Sequence, residues 1–441
     1  MSASPAPAAL GVRDVLRIPA FRRLFVAQAI SDVGDGMTYL ALFLLVLDLT
    51  GSTAAVALMS ILVALPPVTI GLFAGAIADR RDRRVIMVAS DAVRAGVVAV
   101  MAFVALEHAL PVLFALACFQ AIIGTFFSPA RTALVPRAVP ASGLMAANSL
   151  GQMTRMIGSV IGAGITGVVA GISGVAWPVL LIDAGTFLAS AIIVAGVGPE
   201  LGRIDAVAAA SAAARGLRRS VGDGLAIVAH SRLLVATLGG VTVTMLGLGA
   251  INVLFIPFLV RDLGASAAWA GPLEAAQTVA MVVAGGMVAA LAARLRPSSL
   301  FTGGIVGVGL SVLAMSIAPN PWVLLIVLFS AGLFTMPVQA ATMTMVQAST
   351  TDETRGRVAA SLNAAIQTAT IVSMAAAGVL AGVIGIRGVF VAGGAIALLA
   401  AVVAWALFRA ERLAVRGGTA PVTGIVDADG SDAGPDRLEA A

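Results

Sequence analysis

The stretch Gly75-Ala76-Ile77-Ala78-Asp79-Arg80-Arg81-Asp82-Arg83-Arg84 decides the fold. An apolar run that begins near residue 54 stops at Ala78, six ionisable residues follow without a break, and a second apolar run starts at Val85. Each run is long enough to cross a bilayer, which takes roughly 20 apolar residues. Arginines packed between two such runs mark the turn between two spans on the side where basic loops collect.

The same alternation covers most of the chain. Of 441 residues, 60% are hydrophobic and 11% charged, against about 25% charged in a soluble domain. Predicted spans lie at 24–47, 54–78, 85–106, 111–135, 144–170, 177–197, 233–260, 268–293, 299–318, 321–347, 358–384 and 387–408. The predicted fold class is therefore an all-α membrane protein of about twelve transmembrane helices. The predicted organisation is a cytoplasmic N-terminus over 1–23, a six-helix half over 24–197 and a cytoplasmic linker over 198–232. A second six-helix half follows over 233–408, with a disordered cytoplasmic tail over 409–441. Internal similarity supports two halves. Ala74–Ala78 resembles Gly285–Ala289, Phe127-Ser128-Pro129 resembles Thr335-Met336-Pro337, and Ala146–Ser149 resembles Ala359–Leu362. Parallel six-helix repeats are one of the main transporter designs, with the substrate site between them near the midplane.

All 27 basic residues are arginine, and the formal net charge is +5. With the N-terminus cytoplasmic, 23 of the 27 arginines fall on the cytoplasmic side, which is the expected positive-inside asymmetry. Trp177, Trp269 and Trp322 then each begin a span at the outer interface. These placements predict a multi-pass protein of the plasma (inner) membrane with both termini cytoplasmic. Nucleic acid is not an expected partner, because the arginines form short clusters between apolar runs rather than a basic face with stacking aromatics. The single Cys118 excludes a disulfide within the chain, and two histidines, His108 and His230, give no zinc pattern. Met1–Gly11 lacks a basic segment followed by a cleavable apolar run, so the first span is expected to act as its own targeting signal.

The 75–84 loop closely resembles the signature loop of the major facilitator superfamily. Further segments narrow the resemblance: Val33-Gly34-Asp35, Leu49-Thr50-Gly51-Ser52, Asp91-Ala92-Val93-Arg94, Phe126–Arg131, Ala147-Asn148 and Asp183–Phe187. Together they are similar to the macrolide-efflux and enterobactin-exporter branch of drug:proton antiporters, over nearly all of residues 13–410. The resemblance implies export of small hydrophobic or amphipathic molecules by alternating access, with multidrug efflux by proton antiport as the leading form. A dedicated siderophore or natural-product exporter and a lipid or lysolipid translocase are the alternatives. Two positions depart from the antiporter pattern. Gln120, four residues before Gly124, stands where many antiporters carry a coupling arginine, and span 5 has Gly158-Ser159 and Gly162-Ala163 without the usual proline.

Charges inside lipid cost about 2.5–3.5 kcal/mol each on insertion scales and are functional candidates by default. Asp32 and Asp35 lie on one face of span 1, with Asp35 roughly 18 Å past Arg23 at about 1.5 Å per residue. Two carboxylates so close in a low-dielectric cavity hinder each other's ionisation. The pair, with Arg155 near the middle of span 5, forms the proton-coupling candidate set; pairing of each Asp with a neighbouring arginine is the alternative. Asp91, Arg94 and Asp183 are read as structural intramembrane charges. Gating is assigned to Gly75, Asp79, Arg80, Arg83, Arg84 and Arg131, with Gly75 letting helices approach and Asp79 meeting cytoplasmic arginines. Substrate-binding candidates are Gln120, Gln152, Met245, Asn252, Phe255, Met336, Gln339, Asn363 and Gln367, since soft and polar side chains suit an adaptable site. Helix packing is the alternative for each. No Walker loop or nucleophile arrangement is present, so an enzyme is not expected. No cofactor is expected either, a proton gradient supplying the energy, and the expected partners are a small-molecule substrate and membrane lipid, with a functional monomer.

Overall fold

The computed structural model describes residues 10–78, 80–202, 226–229, 231–292 and 295–416. Those residues form helices and short connections, with no strand among them. A short helix α1 (Val12–Arg17) leads into α2 (Pro19–Thr50), α3 (Thr53–Thr69), α4 (Gly71–Ala78), α5 (Arg83–Leu106), α6 (Leu110–Ala138), α7 (Leu144–Ser173), α8 (Trp177–Ala195) and α9 (Pro199–Gly202). The second group is α10 (Arg232–Pro257), α11 (Ala270–Ala292), α12 (Pro297–Ser316), α13 (Pro321–Ala348) and α14 (Asp352–Arg416).

Among the described residues, nine helices are long and apolar enough to cross a membrane. The last of these, Val358–Ala410, has 53 residues, far more than one crossing needs. It is broken at Gly385, where φ is 73° and ψ 166°, a backbone state that a β-carbon would strain. α3 and α4 together occupy the second predicted span. Pro66 and Pro67 remove backbone donors there, and the helix ends at Thr69 before restarting at Gly71. α11 occupies the eighth, so each predicted span has a helix beneath it. Local chemistry fixes several starts: Ser52, Asp82, Ser231 and Asn320 each accept a hydrogen bond from the backbone N–H three residues on. Arginines close the opposite ends. Arg84 and Arg23 donate to the Ala195 and Gly196 carbonyls at the end of α8, and Arg387 donates to Ser316 and Ala318 after α12 at 2.7 and 3.0 Å.

The outer surface is apolar. Phe103, Ile192, Val282, Ile326 and Val402 are between 61 and 68% exposed, a coat that suits lipid and not water. Inside, α2 packs on α7 and α8, and α5 on α6 and α8; α10 packs on α14, and α13 on α11 and α12. Contacts between the two groups run mainly through α3 against α14 and α7 against α11. Those contacts gather at one end of the bundle. The largest buried cluster joins Met37, Phe43 and Phe187 of the first group to Val253, Phe258 and Phe390 of the second. Toward the arginine-rich end the core splits. Phe21, Leu134 and Val194 form one cluster within the first group, while Val241, Phe301 and Phe408 form another within the second. The two halves are thus sealed together at the end holding Gly51 and Gly174 and part toward the end holding Arg80–Arg84.

Candidate functional site

Between the halves lies a cavity of about 620 Å³, within the range of small-molecule sites. Helical spacing explains its first wall. Asp32, Asp35 and Tyr39 share a face of α2, Gly124, Ser128 and Arg131 a face of α6, and Arg155, Ser159 and Ala163 a face of α7. The second wall comes from Asn252 and Phe255 on α10, Glu274 and Gln277 on α11, and Leu328 on α13.

α2 and α7 cross so closely that only glycine fits at three points. A β-carbon on Gly158 would stand 2.8 Å from Asp32 Cβ, and one on Gly36 2.8 Å from Ser159 Cα. One on Gly162 would collide with the α2 backbone at Val33 and Met37. The glycines of span 5 therefore do the packing work and set Asp32 against α7.

Arg94 organises the charges. Only 4% exposed, it pairs with Asp91 at 3.3 Å and with Asp35 at 3.5 Å, and donates to Ser31 Oγ at 3.2 Å. Its guanidinium lies 3.9 Å from the centre of the Phe187 ring, a favourable cation–π placement. Asp91 is fully buried and accepts a second hydrogen bond, 2.6 Å, from Ser190. Asp183, also fully buried, accepts from Thr38 at 2.5 Å and Thr186 at 2.8 Å, which ties α8 to α2. Asp35 differs, with 46% of its side chain exposed to the cavity. Asp32 sits in the field of Arg131 and Arg155, and its Oδ2 is buried without a hydrogen-bond partner among the described residues. Arg155 is exposed, bonds Gln152 Oε1 at 2.9 Å, and makes no ion pair among the described residues.

The expected site residues divide among several places. Asp32, Asp35, Arg131, Arg155, Asn252 and Phe255 converge on the central cavity. Arg94, read from sequence as purely structural, lines it too, because it reaches across to Gly124 on α6. Arg131, a gating candidate in the predicted span 111–135, lies within α6 and faces the central cavity. Gln120 is corrected from the central cavity to a side cavity between α3–α4 and α6, where it is 8% exposed. Met245, Gln339 and Asn363 are likewise corrected to a third cavity of about 480 Å³ among α10, α12, α13 and α14. Gln152 is exposed on α7 beside Arg155. Met336 and Gln367 are half-buried and line none of these three cavities; Met336 lies against Gly285 of α11.

Among the gating residues, Asp79 lies outside the described residues. Arg80 is exposed, Arg83 donates to the Ala133 carbonyl at 3.1 Å, and Arg84 closes α8 as above. Gly75 is not at a close helix approach: a β-carbon there would meet nothing within 4 Å, because the residue faces the side cavity. The residue overlooked in the sequence is Glu274, a carboxylate inside the predicted span 268–293. The rule that singled out Asp32 applies to it equally. Its Oε1 accepts a 2.7 Å hydrogen bond from Ser159 Oγ across the seam between the halves.

The family described as "Transmembrane secretion effector" matches residues 13–416. Among curated relatives, an uncharacterized MFS-type transporter, YkuC of Bacillus subtilis, is 28% identical over 41% of the chain and 42% of its own length. Macrolide efflux protein A of Streptococcus pyogenes is 29% identical over 32% of the chain and 35% of its own length. The enterobactin exporter EntS of Citrobacter koseri is 32% identical over 38% of the chain and 41% of its own length. The chain thus spans about two fifths of the length of these relatives. In fold, it superposes on the nucleoside transporter NupG with a TM-score of 0.69 at 12% identity, covering 88% of this chain and 99% of the other. A bacterial homologue of the lysosomal transporter Spinster, solved inward-facing and unoccupied, gives 0.67 at 15% identity over 88% of this chain and 96% of the other.

Proposed function

The chain belongs to the transmembrane secretion effector family of major facilitator superfamily transporters, and we propose that it exports small hydrophobic or amphipathic molecules by alternating access, driven by proton antiport. The central cavity carries the reading. Five of its charged residues, Asp32, Asp35, Arg94, Arg131 and Arg155, come from the first half, while the second half offers Ile251, Asn252, Phe255 and Leu328 with Glu274. A charged wall facing a largely apolar one suits a molecule with a polar end and an apolar body. The arginine-rich end is taken as cytoplasmic, in the plasma membrane, following the positive-inside asymmetry. The conformation described is then one that loads from the cytoplasm. A single chain with no cofactor suffices for this scheme.

Asp35 is the proposed proton carrier. Exposed to the cavity and held, among the described residues, by Arg94 alone within 4 Å, it loses that attraction on protonation, while Arg94 keeps Asp91. Arg131 and Arg155, flanking Asp32, favour the second reading, a dedicated exporter of an anionic natural product such as a siderophore. The test is reconstitution in liposomes with an imposed pH gradient and a panel of lipophilic cations, macrolides and siderophores. Uphill movement of several unlike compounds, lost when the gradient is collapsed, supports the first reading; movement of one anionic compound supports the second. Transport indifferent to the gradient overturns the coupling.

A further inference from the structure

Resting on the export reading, the geometry around Glu274 points to a binding subsite for an organic cation, the protonated amine or onium group of a lipophilic substrate. The other carboxylates around the cavity are ion-paired, hydrogen-bonded or set in the field of arginines. Asp35 and Asp91 share Arg94, Asp183 has two threonine hydroxyls, and Asp32 lies between Arg131 and Arg155. Glu274 has one hydroxyl, that of Ser159, and no arginine or histidine within 4 Å among the described residues. An ionised carboxylate held away from bulk water is costly until a cation joins it, and the cavity brings solute to it. Tyr39 and Phe43, with ring centres 4.4 Å apart, line the same cavity with Phe255 and offer faces to a cation. Tyr39 is close enough to interact electrostatically with Glu274.

The position of Glu274 links occupancy to movement. Beyond it, α7 and α11 close against each other backbone to backbone at Gly164–Gly271, and Gly167 meets Ala268 just before α11. Ser159–Glu274 is where that seal ends and the cavity begins. A cation that takes the Glu274 carboxylate draws charge away from the Ser159 hydroxyl and weakens a hydrogen bond between the halves at the place where they must separate for release. Glu274 is therefore a specificity-determining residue, selecting cations over neutral analogues of the same size.

The test uses the full chain in lipid nanodiscs, with tetraphenylphosphonium as the cationic probe and an uncharged dye of similar size as control. Glu274→Gln is expected to weaken cation binding about tenfold or more while leaving the uncharged probe unchanged. Glu274→Asp and Ser159→Ala, which keep the charge, are expected to retain cation binding within about threefold of wild type. Equal cation affinity in wild type and Glu274→Gln, loss of both probes together, or no cation binding by wild type overturns the subsite. Gradient-driven transport of neutral and anionic probes by the same protein separates the two proposals: it persists if only the subsite is wrong and is absent if export itself is wrong.

Discussion

Replacing Arg94 by methionine is expected to damage the protein through Asp91 far more than through Asp35. Methionine keeps an unbranched apolar stem and removes the charged end of the side chain. Asp91 is fully buried, and without Arg94 at 3.3 Å it is left, among the described residues, with the Ser190 hydroxyl alone. Breaking a buried pair by removing one partner costs about 3–5 kcal/mol. Asp35 has nearly half of its side chain in the cavity, and an ion pair that exposed contributes only about 0–1 kcal/mol. Arg94→Met should therefore lose roughly 3–5 kcal/mol, and Asp91→Asn in the same chain should restore most of that, since removing both charges leaves no orphan. Equilibrium unfolding in mixed micelles, with all four members of the Asp91/Arg94 cycle, measures this. A double variant as unstable as Arg94→Met, or an Arg94→Met variant as stable as wild type, would refute the argument.

Three further expectations follow from single contacts. Asp35→Asn should change stability by no more than about 1 kcal/mol yet abolish gradient-driven uphill transport, read in proteoliposomes beside a thermal melt. Gly162→Ala should force α2 and α7 apart at Val33 and Met37, with an overpacking cost of about 1–3 kcal/mol, seen as a lower melting temperature and weaker transport. Cysteines at Gly167 and Ala268, in a Cys118→Ser background, should cross-link because those backbones touch; the cross-link should stop transport and reduction should restore it. A cross-linked protein that still transports would contradict the reading that this end must open.

Much of the fold could be read from the sequence because lipid imposes length and charge placement on every span. The 75–84 loop, the caps at Ser52 and Asn320 and the Gly385 break all fall where residue chemistry puts them. Rotation of each helix about its axis could not be read in the same way. In a soluble protein the polar face of a helix reveals the buried one, but here lipid-facing and core-facing positions are both apolar. Met245, Gln339 and Asn363 consequently face a cavity inside the second half rather than the central one, and Gln120 turns to the side cavity. Charged residues escape that ambiguity, since Asp32, Asp35 and Arg155 must avoid lipid, and all three reach the central cavity. Glu274 was open to the same reasoning. Ser159 was not, because a lone serine in an Ala/Gly-rich helix carries no signal until its partner on α11 is known.

Proton movement during transport distinguishes antiport through Asp35 from uncoupled export. Proteoliposomes loaded with a pH-sensitive dye would receive a transported substrate without an imposed gradient, comparing wild type with Asp35→Asn. Antiport predicts a substrate-dependent proton flux opposite to the substrate in wild type, and substrate exchange without proton flux in Asp35→Asn. Equal proton flux in the two proteins, or uphill transport by wild type with none, would contradict it.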